Sequence, residues 1–247
     1  MFSDLRRLRS KIAEKVVKSG GPPSAAEIAS RLIVRHNCEV AVDVGCGVNS
    51  PLALVGDSVL KVGVDVDENS IATARQARLH DAYLQTNIME CSTDELKRDL
   101  LALSGGRPIE VILLFSVIEH LPKQKGFDLL NLCESITSKF VIVETPNGFV
   151  PQGPEFGNPY QRHLSGWFPV DFKGLGYNVY GTGGTNIVRG YMGEPRINLP
   201  GIALFDLMVL SKLLRIINRP RFAFNLLAIK DVRGVPARYN ARAQRDN

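Results

Sequence analysis

Apolar positions along the chain follow two rhythms. Near the start, Phe2, Leu5, Leu8, Ile12 and Val16 recur at helical spacing, which predicts an amphipathic helix over residues 2–18. Gly20-Gly21-Pro22-Pro23 ends it, and Ser24-Ala25-Ala26-Glu27 is a capping box opening a second helix through about Val34. Short apolar runs then predict strands at Cys38–Val44, Leu60–Val66, Ala82–Thr86, Ile109–Phe115 and Phe140–Glu144. Helical stretches separate them. Asp67 or Asn69 caps one running through Arg75 to Leu79, Ser92-Thr93-Asp94-Glu95 caps another over 93–103, and Lys125 to Lys139 reads mostly as helix.

Strands alternating with helices imply parallel β-α-β units in an α/β fold. Near-continuous runs such as Val111-Ile112-Leu113-Leu114-Phe115 imply strands covered by helices on both faces. After Gly148 the alternation lapses into a loop rich in Pro, Gly and Asn, which ends near Trp167. A short helix at about 169–174, a strand at Tyr177–Tyr180 and a last strand at about 222–230 follow. Residues 182–220 form an insertion in which Ile202, Phe205, Leu207, Leu210, Leu213, Leu214, Ile216 and Ile217 predict a helix apolar over much of its circumference. Such a helix is either buried over the sheet or in a dimer interface, or it is a lid or lipid-facing surface. The chain therefore divides into a helical extension, 1–37, packing on a core domain, 38–247, with a loop at 148–170 and the insertion at 182–220.

Composition adds little constraint. The chain has 247 residues, 45% of them hydrophobic and 22% charged, which suits one domain with a sizeable core. No apolar run approaches the roughly 20 residues of a transmembrane helix, and Met1-Phe2-Ser3-Asp4-Leu5-Arg6-Arg7 lacks a signal-peptide core, so a cytoplasmic location is expected. Cys38, Cys46, Cys91 and Cys133 show no C-x-x-C pairing and no histidines at zinc spacing, so no metal is expected. The net charge of +5 is concentrated at the ends, in Arg6, Arg7, Arg9, Lys11, Lys15 and Lys18 and in Arg233, Arg238, Arg242 and Arg245. These read as a solvated basic face. The sharper reading is contact with an anionic partner: a lipid surface at the membrane periphery, a phosphorylated carrier or, least favoured, nucleic acid.

Chemistry is concentrated where the first strand ends. Val40-Ala41-Val42-Asp43-Val44-Gly45-Cys46-Gly47 closes a β-type run with a glycine turn, and Lys61-Val62-Gly63-Val64-Asp65 closes a second run with a carboxylate. Glycines there let backbone approach a ligand, and a carboxylate about 20 residues on suits ribose hydroxyls. A dinucleotide site wants a third glycine, but Val48, Asn49, Ser50 and Pro51 follow Gly47, and no nucleoside-triphosphate loop is present. Asp43 would repel a pyrophosphate yet could accept from a cationic amino group. The ligand that fits is S-adenosylmethionine.

The chain resembles the class I S-adenosylmethionine-dependent methyltransferases, in particular an uncharacterised bacterial and archaeal group of small-molecule type. Asp43-Val44-Gly45-Cys46-Gly47 is similar to their first motif, Gly63-Val64-Asp65 to the second and Tyr83-Leu84-Gln85-Thr86-Asn87-Ile88 to the third. Phe115-Ser116-Val117-Ile118-Glu119-His120-Leu121 resembles the fourth, and Thr145-Pro146-Asn147-Gly148 the end of the fifth strand. Asn49, Asn87 and Glu110 depart mildly from the usual residues. The resemblance implies a Rossmann-like seven-stranded sheet in order 3-2-1-4-5-7-6, mostly parallel with an antiparallel C-terminal hairpin. It also implies a cofactor site of Asp43, Gly45, Cys46, Gly47, Asp65, Val66, Asn87, Ile88, Phe115 and Ser116.

Methyl transfer to a hydroxyl gains from alignment and from a general base. His36 reads as a loop residue, and His80 as a loop residue bonded locally to Asp81. His120, beside Glu119, follows the fourth strand at the cofactor edge, so Glu119 and His120 either take part in catalysis or only shape the loop. His163 lies in Asn158-Pro159-Tyr160-Gln161-Arg162-His163-Leu164-Ser165-Gly166-Trp167, where acceptor loops occur in this fold. Asn147, Tyr160, Gln161 and Trp167 are the acceptor-binding candidates, although Trp167 alone suits packing under the loop. The leading expectation is O-methylation of a small or carrier-linked molecule such as a sugar or glycan. A quinone or lipid acceptor, a non-catalytic module that keeps the fold, and more distantly a nicotinamide oxidoreductase stand beside it.

Overall fold

The structure, a computed structural model, describes residues 22–88, 90–154, 158–189, 196 and 201–233; the basic segments at 6–18 and 238–245 lie outside them. The capping box expected at Ser24 forms: its hydroxyl accepts from the Glu27 amide, the Glu27 carboxylate accepts from the Ser24 amide, and α1 runs Ala25–Arg35. Then come β1 (Val40–Val44), β2 (Leu60–Asp65), α2 (Glu68–Gln76, capped by Asp67), β3 (Ala82–Gln85) and α3 (Thr93–Leu103, capped by Ser92 and Glu95). They are followed by β4 (Val111–Phe115), α4 (Lys123–Ile136), β5 (Phe140–Pro146), α5 (Pro169–Gly174), β6 (Asn178–Thr185) and β7 (Ala223–Asp231).

All seven strands join one sheet in the order β3-β2-β1-β4-β5-β7-β6. The first five are parallel, and β7 runs antiparallel to both β5 and β6. This is the Rossmann-like arrangement expected, with its antiparallel C-terminal hairpin. Successive side chains of β4 divide between two cores. Ile112 and Leu114 join Leu96, Leu100, Leu129, Leu130 and Phe172 from α3, α4 and α5. Val111 and Leu113 join Ala25, Ala29 and Ile33 from α1, with Leu52 and Val55. Period-2 alternation thus becomes burial on both faces, the reason the run is continuously apolar.

Several element ends differ from the sequence reading, most instructively at β5, β6 and the insertion. β5 extends through Pro146 because β7 pairs with it as far as Asn225. β6 runs on to Thr185 across an irregularity at Gly183 and Gly184, both with positive φ, which apolar periodicity does not mark. The helix expected in the insertion forms over 202–213, with a π-helical stretch at Asp206–Leu210 between the α-helical turns Ile202–Phe205 and Ser211–Leu213; Arg215, at φ 50°, breaks the run, and a separate turn follows at Ile216–Asn218. Buried Asp206 anchors it to β6 by accepting from the Thr185 amide, 2.8 Å away, while Phe205, Val209 and Leu213 face outward. Among the described residues no helix is long and apolar enough to cross a membrane.

Candidate active site

The strand order reverses between β1 and β4, so the connections leaving their carboxyl ends splay apart and open a crevice. A cavity of about 1020 Å³ occupies it. One end is the glycine turn. Gly45 and Gly47 take φ of 69° and 52°, values that side chains rarely adopt, and the Gly45 and Cys46 amides donate to the Val64 carbonyl. A Cβ on Gly47 would meet nothing nearer than 3.9 Å and would project into space the cavity uses. Cys46 is buried, and burial holds its thiol far above the ordinary range, so it contributes size and not reactivity.

The carboxylate ending β2 is tied to this turn. Asp65 accepts from the Gly47 amide through one oxygen (2.8 Å) and from the Asp67 amide through the other (2.9 Å). Burial raises its pKa against the pull of those amides. Asp65, Val66, Asn87 and Ile88 are not among the residues that line the cavity; Asn87 donates to Glu90, and Ile88 packs against the core.

Asp43 does something the sequence reading missed. It is 1% exposed, and its Oδ2 accepts from Ser50 Oγ (2.6 Å) and lies 3.3 Å from His80 Nε2, which also approaches Ser50 Oγ at 3.0 Å. Instead of meeting a cationic amino group at that oxygen, Asp43 braces the turn from below. His80, read as a loop residue bonded to Asp81, is a buried member of this network. Gly63 makes room for it: a Cβ there would come 2.8 Å from His80 Nδ1. The signal lay in Gly63, but the contact spans 37 residues, so spacing could not show it.

The opposite end is built on β4, β5 and the following loop. Ser116 turns the chain at φ 54°, and Phe115, Ser116, Glu119 and His120 line the cavity. Glu119 is 2% exposed and accepts from Thr145 Oγ1 at 2.9 Å; burial, with nearby Glu144 adding to it, pushes its pKa up to about 8. Its backbone carbonyl accepts from the Leu164 and Ser165 amides, which staples the loop against the end of β4. His163 thereby meets His120, their rings edge to face with centroids 4.8 Å apart. His120 Nδ1 lies 3.2 Å from the Arg162 carbonyl, His163 Nδ1 2.6 Å from the Val150 carbonyl, and burial lowers the pKa of His120.

Of the acceptor candidates, Tyr160 and Gln161 line the cavity. Trp167 does not. It is fully buried, donates from Nε1 to the Ile118 carbonyl and Ser165 Oγ, and packs against Phe127 and Phe172, so it supports the loop from beneath and offers no wall to a ligand. Asn147 is likewise occupied, its Nδ2 donating to the Pro220 and Ala223 carbonyls at 3.0 and 2.8 Å and tying β5 to the entry of β7. Glu144, Asn225 and Gln152 line the cavity and were not anticipated. Glu144, a carboxyl ending an apolar strand, was the visible signal. Burial raises its pKa to about 7, and Asn225 and Ser116 donate to it.

A second cavity of about 700 Å³ adjoins the first, sharing Ala26, Phe115, Glu144 and Asn225. Its roof is the insertion, through Leu207, Ile216 and Ile217, and its floor the glycine-rich stretch 181–184.

No family model matches the chain, and no curated protein matches its sequence. Solved structures of similar fold include a SAM-dependent methyltransferase from Archaeoglobus fulgidus (18% identity, TM-score 0.48, covering 83% of this chain and 94% of that one). The plantazolicin methyltransferase BpumL, in complex with a monoazolic desmethylPZN analog and SAH, has 17% identity and a TM-score of 0.49, covering 92% and 90%. Magnesium protoporphyrin IX methyltransferase from Synechocystis PCC 6803 with bound SAM has 13% identity and a TM-score of 0.42, covering 62% and 68%.

Proposed function

We propose that the chain is an S-adenosylmethionine-dependent methyltransferase that methylates an oxygen of a small or carrier-linked acceptor, a sugar or glycan being the favoured class. The observation that carries this is the single cavity running from a glycine turn with no phosphate-binding features to a pair of histidines. In this reading Gly45, Cys46 and Gly47 leave backbone open for the methionine part, Asp65 would hold the ribose hydroxyls, and Asn87 with Ile88 would flank the base. The cofactor supplies an electrophilic methyl group on a sulfonium.

This chain's own residues do the rest. Phe115, Tyr160 and Gln161 confine the acceptor, so that its oxygen approaches in line with the methyl group. His120 or His163 would receive the hydroxyl proton; burial lowers the pKa of His120, which favours the neutral ring that can accept one. Buried Glu119 shapes that end by holding the acceptor loop.

The second cavity favours a variant of this reading, an acceptor with an apolar portion such as a quinone or a lipid-linked glycan. The insertion's Leu207, Ile216 and Ile217 would cover that portion.

The test is calorimetric titration with S-adenosylmethionine, S-adenosylhomocysteine and NAD. Binding of the first two and not the third is expected, followed by methyl transfer in a screen of glycans and lipid-linked acceptors. No binding of the first two sinks the enzyme reading and leaves a scaffold with this fold.

A further inference from the structure

We propose that Glu119, His120 and His163 together bind one divalent transition-metal ion at the acceptor end of the cavity. One ligand atom from each lies within 4.8 Å of the others. The first two residues leave β4 and the third comes from the loop after β5, stapled to Glu119 by the Leu164 and Ser165 amides. Small rotations of three side chains would bring such atoms around an ion.

Orientation supports ligation more strongly than proximity does. A carbonyl oxygen only accepts, so the contacts to the Arg162 and Val150 carbonyls require Nδ1 of each ring to carry the hydrogen. In the neutral ring the lone pair then lies on Nε2. Backbone carbonyls that fix the tautomer in this way are the usual support of metal-binding histidines. Glu119 is 2% exposed, its Oε2 accepts from Thr145, and the ion pairs among the described residues give it no lysine or arginine partner. A carboxyl buried without a cation is costly, and an ion among these three groups would remove the cost.

The ligand set indicates the class of ion. Calcium and magnesium prefer all-oxygen surroundings, whereas two imidazole nitrogens and one carboxylate suit zinc, cobalt, iron or manganese. Three protein ligands beside an open cavity leave positions for a small molecule. The role of the ion, though not its binding, rests on the transferase reading. With both imidazole lone pairs on the ion, the ion replaces the histidines as the activating group: a hydroxyl bound there is acidified and gives its proton to solvent; its oxygen then bonds to the methyl carbon as the carbon–sulfur bond breaks and sulfur leaves as a thioether. Sequence spacing argued against a metal because it searches locally, and here 43 residues separate two of the ligands.

The test uses the full chain, stripped with chelator and titrated with Co²⁺ while its visible d–d absorption is followed, with Zn²⁺ and Mg²⁺ titrated by calorimetry. One equivalent of Co²⁺ or Zn²⁺, held at least about 100-fold more tightly than Mg²⁺, is expected. His120→Ala and His163→Ala should each weaken binding about tenfold or more, while His36→Gln leaves it unchanged. Circular dichroism checks that each variant folds; if His163→Ala does not, the less buried His120 carries the test through His120→Ala and His120→Gln. Absence of a one-equivalent site, a site indifferent to His120 and His163, or thiolate charge-transfer bands overturns the proposal. Co²⁺ binding without S-adenosylmethionine binding supports the ion site and overturns the transferase reading instead.

Discussion

His80 Nε2 lies 3.3 Å from the carboxylate of Asp43, both side chains buried, although 37 residues separate them in the chain. The contact joins the loop before β3 to the carboxyl end of β1, and Ser50 closes it into a triangle with distances of 2.6 and 3.0 Å. The glycine turn is therefore held by Asp43 and His80, which do not line the cavity, through Ser50, which does.

Removing His80 should expose how much that brace matters. His80→Ala leaves the Asp43 carboxylate buried with one partner fewer, a cost of about 3 kcal/mol. Urea denaturation is expected to show that loss, with S-adenosylmethionine affinity falling as the turn loosens. A variant as stable as wild type would show that the network is dispensable.

Asp65 should act on the cofactor directly. Asp65→Ala is expected to weaken S-adenosylmethionine binding about 100-fold, since a hydrogen bond to a charged group contributes about 1.5–3 kcal/mol. Asp65→Asn keeps an acceptor and should cost about tenfold. Calorimetry on both, beside their unfolding curves, checks this; unchanged affinity in the alanine variant would remove Asp65 from the site.

Glu144 makes stability depend on pH. Its folded pKa of about 7 lies above the ordinary carboxyl value of 4.5, so between those pH values the folded state holds more protons than the unfolded one. Its contribution is thus full below about pH 4.5 and lost as pH rises to about 7, a change of about 3 kcal/mol. Glu144→Gln should flatten that slope and gain stability relative to wild type near pH 8. Parallel slopes in unfolding experiments at pH 5 and 8 would refute it.

Gly126 in α4 offers a contest of magnitudes. Alanine there improves helix propensity by about 1 kcal/mol. Its Cβ, however, would collide with Trp167 Cζ2 in a fully packed core, and overpacking costs about 1–3 kcal/mol. Gly126→Ala should therefore be destabilised, with a shift in the emission of Trp167, the chain's single tryptophan. A more stable variant with unchanged emission would mean that the core yields more easily than argued.

Much of the architecture was legible in the chain because its signals are local. The capping residues Ser24, Asp67 and Ser92 start helices where expected, and the apolar run Val111–Phe115 is a strand covered on both faces. The cavity lining was legible at the glycine turn, at Phe115, Ser116, Glu119 and His120 after β4, and at the loop holding His163. Trp167 and Asn147 looked like ligand contacts because aromatic and amide side chains in loops serve either recognition or packing, and only burial separates the two. His80 and Glu144 were passed over for the opposite reason: each becomes part of the site through a partner far away in sequence. In the insertion, apolar periodicity marked the helix at 202–213 but carried it too far, since Arg215 in a left-handed conformation breaks a pattern that apolar spacing alone continues.

The placement of β7 between β5 and β6 has a consequence for how the molecule is made. During synthesis β5 emerges with its outer edge bare, and about 75 residues must follow before the strand that covers it appears. Until then Glu144 lacks Asn225, the cavity lacks one wall, and an unpaired edge is open to other chains. A nascent chain stopped before residue 223 is accordingly expected to engage chaperones and to have no ligand affinity. The binding site would appear late and all at once, when a single strand slides into the middle of a sheet that is otherwise complete.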